Sequence, residues 1–389
     1  MKKITRILLF VLIVNIVFPI TVFAQDKNNK TLIPNATSGV LMEATTGKIL
    51  FEKEKNKKVS VASMTKMAAQ IIILEEIEKG NIKWGDIVTV SKNAADMGGS
   101  QIYISEGEKI SVEDLMKGIS MASGNDATVA MAEYISGSEE KFVKRMNDRV
   151  KQLGLKNTNF KNCTGLDEED HYSTAYDMAV IARELVVSHP EIFRFSSVYE
   201  DYLRQNTDNK FWLVNTNKLV RFYDGADGLK TGHTDDAGYC LAATAKKNNL
   251  RLIAIVLGEK ESKVRNSETM SLLDYGFSNI KMNILKKSGT VVQQIKLEKA
   301  TKDIIDLSLK EDLGVVEDLE RGVHKYKYEV ELDDIKLPLK AGSIIGTIIV
   351  KEDGKKVSSG DLIIKENVNP LSYLKLFYNG LKNIVSGQL

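Results

Sequence analysis

Two β-like runs open the folded part of this chain and two more lie far downstream, with mostly helical sequence between them. Gly39–Ala44 and Lys48–Glu52 flank the turn Thr45-Thr46-Gly47 and read as a hairpin. Gly238–Ala245 and Leu250–Leu257 flank a Lys-Lys-Asn-Asn turn. That order implies an α+β fold in which both ends of the chain complete one antiparallel sheet, with helices on its faces. The helical stretches are Ala68–Glu78, a segment opened by the capping-box-like Ser111-x-x-Asp114 and continued by Leu115, Met116 and Ile119, then Ala127–Ile135, Glu140–Leu153, Thr174–Val187 and a closing Met270–Phe277.

From about Leu285 the texture changes. Val291–Leu297, Tyr326–Leu332, Ser343–Val350 and Asp361–Lys365 are short alternating runs separated by Gly- and Asp-containing turns, predicting a second, small β-sandwich domain. Expected boundaries are 32–278 for the first domain and 285–367 for the second. In 370–389, Leu371, Leu374, Phe377, Tyr378, Leu381, Ile384 and Val385 fall on one helical stripe, with Lys375, Asn379, Lys382 and Asn383 opposite. Such a helix suits the membrane interface and is too polar to span a bilayer; a helix docked on the β-domain is the competing reading.

The first residues bear on compartment. Lys2, Lys3 and Arg6 precede the apolar run Ile7–Phe18, and Val22-Phe23-Ala24 supplies small residues at −3 and −1, so 1–24 reads as a secretory signal peptide. A retained anchor is the alternative, but the run is short and Pro19 interrupts it. The chain has 54 basic and 52 acidic residues, and losing the three leader cations brings it to near balance, which gives no reason to expect a nucleic-acid partner. Cys163 and Cys240 are too few for a disulfide framework; they could pair, but Cys240 lies in an apolar strand-like run and reads as a buried free thiol. His171, His189, His233 and His324 lack metal-ligand spacing, so neither a metal nor another cofactor is expected.

Ser63 and Lys66 begin the first helix three residues apart, on one face. A serine hydroxyl needs a neighbouring base to become a nucleophile, and Lys66 is placed to be that base. A lysine amine, ordinarily near a pKa of roughly 10.4, must then be kept neutral by burial or by a nearby cation. The spacing alone is weak, since it recurs at Ser138/Lys141, Ser278/Lys281 and Ser372/Lys375. Two further motifs distinguish the first copy: Ser123-Gly124-Asn125 on a turn between helices, and Lys230-Thr231-Gly232 leading into a strand. Lys287-Ser288-Gly289, in the β-domain, has no matching partners.

This ordered triple resembles that of penicillin-binding proteins and class A β-lactamases. Met64-Thr65-Lys66-Met67, Ser123-Gly124-Asn125-Asp126-Ala127, Asn215-Thr216-Asn217-Lys218 and Asp227-Gly228-Leu229-Lys230-Thr231-Gly232 narrow the resemblance to low-molecular-mass penicillin-binding proteins, the serine-type D-alanyl-D-alanine carboxypeptidases. The likeness runs from about Ser38 to Lys365. Val61 stands where the family typically has proline. It implies a penicillin-binding, β-lactamase-like catalytic domain, a peptidoglycan stem peptide ending in D-Ala-D-Ala as substrate, β-lactams as covalent inhibitors, and a tail holding the enzyme on the outer face of the cytoplasmic membrane. It also implies roles: Ser63 as nucleophile, Lys66 as base, Ser123 bridging Lys66 and Lys230, and Asn125 holding the substrate amide. Lys230 would depress the Lys66 pKa and, with Thr231, Gly232 and Thr234, receive the terminal carboxylate. The backbone N–H groups of Ser63 and His233 would form an oxyanion hole.

Neighbouring activities remain possible on these motifs. A β-lactamase needs a deacylating carboxylate, and no Glu-x-x-Leu-Asn-like segment lies between Asn125 and Lys230. A penicillin sensor needs a transmembrane signalling segment. A D,D-endopeptidase acting on cross-links shares the chemistry with a longer leaving group.

Overall fold

The computed structural model describes residues 32–205, 207–319 and 324–375; the expected signal peptide and the tail beyond Lys375 lie outside them. One five-stranded antiparallel sheet organises the first two thirds of the chain. Its order is Ile49–Lys53, Ser38–Glu43, Leu250–Glu259, Gly238–Lys247, Ala226–Thr234. Ser38–Glu43, from the beginning of the fold, pairs with Leu250–Glu259, from its end, so the two chain ends meet in one sheet as expected.

Alternation along the strands builds two cores. Ile253, Ile255 and Leu257 join Val40 and Met42 under the helical layer, whereas Leu252, Ala254 and Val256 join Leu41 on the opposite face beneath Leu272 and Leu273 of the Ser262–Asn279 helix. Both faces are covered, which explains why these strands read as continuous apolar runs. At Gly276 a Cβ would stand 2.5 Å from Leu252 Cδ1, so only glycine lets this helix lie so close to the sheet.

The helical layer contains Lys66–Glu78, Val112–Lys117, Asn125–Ser136, Glu139–Gln152 and Ala175–Ser188. Ser111, Ser138 and Thr174 cap three of them by accepting hydrogen bonds from Asp114 N, Lys141 N and Asp177 N. The Ser138/Lys141 repeat of the nucleophile spacing is therefore a helix cap. The closing helix starts earlier than its apolar part suggested, because its first turns, Ser262–Glu268, are largely polar.

Beyond that helix the chain is all β. Val291–Lys296, Ile304–Leu309, Lys355–Ile363, Ile344–Glu352 and Tyr326–Leu332 form one sheet, and Ile280–Lys286 pairs with Leu313–Asp318 in another. Leu307, Leu309, Leu313, Val315, Ile348, Val350 and Leu362 share a core between them. Three strands here were not anticipated. Ile280–Lys286 continues almost directly from the helix where a linker was expected, and Ile304–Leu309 and Leu313–Asp318 are broken by charged residues that mask their alternation. The last strand begins at Lys355 rather than at Asp361, as part of a hairpin around Asp353-Gly354. Lys287 and Ser288 bind Asp312 and Lys310 in a surface turn.

Candidate active site

Ser63 lies in a 3-10 turn, Ala62–Thr65, that runs straight into the Lys66–Glu78 helix. Val61 is fully buried and its carbonyl accepts from Met64 N at 3.1 Å, so the turn closes without a proline. Ala62 adopts φ +47°, a costly left-handed conformation immediately before the half-buried serine. Two glycines fit against this turn. A Cβ on Gly165, itself at φ +84°, would run into the Ala62 carbonyl and stand 2.9 Å from Ser63 N; one on Gly232 would stand 2.7 Å from the Val61 carbonyl. Gly232 thus brings the backbone of Thr231–His233 alongside the serine.

Lys66 is fully buried. Its Nζ lies 2.9 Å from Ser63 Oγ, 2.6 Å from Asn125 Oδ1 and 2.7 Å from the Thr164 carbonyl. The last two can only accept, so together they use two N–H donors of the amine. In the neutral form the lone pair is then left for the Ser63 hydroxyl. Burial lowers the Lys66 pKa to about 7, against the opposing pull of Cys163 and Asp126.

Ser123 and Asn125 sit on a turn that follows a π-helical stretch, Gly118–Ala122. Ser123 takes φ +63°, and its buried hydroxyl has no hydrogen-bond partner among the described residues. Asn125 donates from Nδ2 to the Gly98 carbonyl at 2.7 Å, while its backbone N–H donates to Ser100 O at 2.7 Å. Next to it, Asp126 accepts from the backbone N–H groups of Ile102, Ile104 and Ala127.

Lys230 lies on Ala226–Thr234, the edge strand whose outer side borders the Ser63 turn. It is buried, its Nζ donates to Thr231 O at 3.0 Å, and its pKa falls well below the ordinary lysine value through burial first, then repulsion by Lys66 and Arg265. Thr231 Oγ1 bonds Thr216 Oγ1 at 2.8 Å. Thr216 is held between Asn215, which binds the Ser196 and Val198 carbonyls, and Asn217, which binds Gly228 O.

The fold therefore gathers Ser63, Lys66, Ser123, Asn125, Lys230, Thr231 and Gly232 around one cleft between the sheet edge and the helical layer. Four details differ from expectation. Burial, not the charge of Lys230, is the largest cause of the drop at Lys66. Ser123 does not bridge the two lysines. Asn125 binds Lys66 and Gly98 with its side-chain amide. Thr234 Oγ1 donates to Asp167 Oδ1 at 2.7 Å and accepts from Ala237 N, so in this state its hydroxyl is committed within the protein. His233 exposes its imidazole against the Tyr239 ring, at 4.0 Å between centroids.

Sequence reading missed the loop 160–171, which supplies Thr164 O and Gly165. Asn162 Oδ1 shapes it by accepting from Thr164 N and Gly165 N. His171 Nδ1 accepts from Lys161 N and its Nε2 bonds Thr65 Oγ1 at 2.8 Å, tying the loop to the nucleophile's turn. Asn162-x-x-Gly165 was the visible signal, a side chain positioned to fold its own turn. Cys163 and Cys240 are both buried free thiols. Among the described residues, no group of three His, Cys, Asp or Glu side chains could hold a metal ion.

A family profile described as D-alanyl-D-alanine carboxypeptidase matches residues 25–261, and one described as the C-terminal domain of penicillin-binding protein 5 matches 281–370. The chain belongs to the serine-type D-alanyl-D-alanine carboxypeptidases. It is a hydrolase of this class, built as a penicillin-binding-protein-like catalytic fold followed by a β-domain. Among relatives of this carboxypeptidase, the D-alanyl-D-alanine carboxypeptidase DacF of Bacillus subtilis is 44% identical over 377 residues, 96% of each chain. Penicillin-binding protein 5 of Haemophilus influenzae superposes with a TM-score of 0.69 at 34% identity, over 86% of this chain and 98% of that one. Penicillin-binding protein D2 of Listeria monocytogenes, solved in an ampicillin-bound form, superposes with a TM-score of 0.57 at 30% identity, over 62% of this chain and 98% of that one.

Proposed function

We propose that Ser63 carries the carboxypeptidase reaction as an acyl-enzyme, with Lys66 as its base. The observation that carries this reading is the Lys66 amine, buried and held by two obligate acceptors with Ser63 Oγ as its third neighbour. In the neutral amine, Nζ takes the Ser63 proton while Oγ adds to the carbonyl between the two terminal D-alanines. The backbone N–H groups of Ser63 and His233 stabilise the oxyanion, an arrangement worth about 10²–10³ in rate per donor. The unpartnered Ser123 hydroxyl passes a proton toward the departing D-alanine nitrogen. Water then releases the shortened peptide.

The substrate's extended backbone runs beside the Ala226–Thr234 edge, whose outer face can take an added strand. Its carboxylate meets Lys230, and that anion favours the protonated form of a lysine otherwise pushed down by burial. Thr231, Gly232 and Thr234 line the same site, Thr234 after exchanging Asp167 for the ligand. Asn125, which already bonds Lys66, also receives the substrate amide. β-Lactams acylate the same serine in this reading, which the existence of an ampicillin-bound form of the Listeria relative supports.

Residues 1–24 direct export, and the amphipathic stretch 370–389 lies in the outer face of the cytoplasmic membrane. Deleting 370–389 is expected to move the protein from the membrane to the soluble fraction; unchanged partitioning would favour a docked helix. Incubation with a pentapeptide ending in D-Ala-D-Ala is expected to release free D-alanine, and cleavage of cross-linked dimers alone would point instead to an endopeptidase. Ser63→Ala is expected to lower turnover by at least about a thousandfold.

A further inference from the structure

On the rim of the cleft, the segment 98–104 packs across the Ser123–Asn125 turn and presents one aromatic ring to solvent. Tyr103 is 68% exposed, between Ile102 and Ile104, which are buried. It holds φ +55°, a conformation that a bulky side chain rarely accepts. The neighbouring structure enforces it. Asp126 accepts from Ile102 N at 3.0 Å and from Ile104 N at 3.3 Å, gripping the backbone on both sides of the tyrosine. Arg204, anchored on Glu108 by two hydrogen bonds, donates to the Ile102 and Tyr103 carbonyls. The ring meets Phe211 edge-on, with centroids 5.7 Å apart. A fold that clamps a strained backbone to hold an aromatic residue outward is a preorganised contact surface.

Resting on the carboxypeptidase reading, we propose that Tyr103, backed by Phe211, stacks against the amino-sugar strand to which the stem peptide is attached. Reach supports this. The stem has four residues on the acyl side of the scissile bond, which extended span roughly 14 Å. Asn125 bonds both Lys66 and the Ser100 backbone. Tyr103 is three residues beyond Ser100, at most about 11 Å of chain. The sugars thus fall at the rim rather than at the reacting centre. The chemistry agrees as well. An exposed ring offers a flat apolar face to the C–H side of a pyranose. The charged pair at its backbone, Arg204 and Glu108, suits hydroxyl and amide groups better than a lipid surface or a purely apolar partner.

The test compares kcat/KM for the full-length enzyme on a free pentapeptide and on un-cross-linked glycan strands bearing the same pentapeptide. Tyr103→Ala is expected to lose roughly three- to tenfold on the glycan-linked substrate, through KM. On the free peptide it stays within about twofold, and penicillin acylation is unchanged, which also reports that the variant is folded. Tyr103→Phe keeps the ring and is expected to match wild type on both substrates. Trp212→Ala removes an exposed aromatic from the opposite face of the Phe211–Val214 strand and is expected to change neither. An equal loss on both substrates, a loss on the free peptide alone, no loss at all, or the same selective loss in Trp212→Ala would overturn the proposal. Wild-type enzyme inactive on both substrates would overturn the carboxypeptidase reading, and this proposal with it.

Discussion

The chemistry rests on one amine. Lys66 has its pKa brought to about 7 by burial, so near neutrality about half of the molecules carry the base form. Acylation by a β-lactam should therefore rise about tenfold per pH unit below pH 7 and level off above it, as stopped-flow labelling across pH 5–9 would show. The sign follows from the group: raising pH removes the proton that blocks the lone pair. A profile falling with pH would mean that Lys66 acts as an ammonium. Close packing makes a second residue-level demand. Gly165→Ala would push a Cβ into the Ala62 carbonyl at a backbone angle that L-residues avoid. It is expected to destabilise the protein by roughly 1–3 kcal/mol in urea unfolding and to slow acylation by more than about tenfold. The Ser63, Ser123 and Lys230 motifs were legible in the sequence because each is a chemical group at a fixed spacing. Thr164 was not legible, since it contributes a carbonyl that every residue possesses.

Among the elements, the loop 160–171 depends on a neutral histidine. Burial brings His171 from 6.5 down to about 4, with Glu168 and Asp167 opposing. A folded-state value below the unfolded one means that the unfolded chain binds more protons between the two. The associated stability is present above about pH 6.5 and is lost as pH falls through about 4, on the order of 3 kcal/mol in all. Urea unfolding at pH 7 and at pH 4 should show that difference on top of the general acid response, and His171→Gln should reduce it. The helix cap at Ser111, with Asp114 in the first turn, could be read directly from sequence, whereas the caps at Ser138 and Thr174 emerge only in the structure. The hairpin pairing Glu200–Leu203 with Phe211–Val214 could not, because each strand is only four residues long and Glu200 and Asp201 open the first with charge.

At the scale of the molecule, the joining of both chain ends in one sheet was readable from the order of strands and helices alone. The β-domain was recognisable as a unit, yet less than its full set of strands was visible, because a small core needs only a few apolar positions per strand. That core is built without any residue of the cleft. Truncation after Asn279 should therefore leave penicillin labelling within about threefold, despite the loss of Ile280 and Met282, which pack on the second sheet core. A truncated protein that keeps its circular dichroism but no longer labels would show that the β-domain supports the cleft. The central claim is that Ser63, activated by Lys66, becomes the acylated atom. Mass spectrometry of the full-length enzyme after brief exposure to benzylpenicillin, with peptide mapping of wild type and Lys66→Ala, tests it most directly. A single adduct on Ser63 in the wild type, and almost none in Lys66→Ala, is expected; an adduct on Ser123 or another side chain, or undiminished labelling without Lys66, would contradict it.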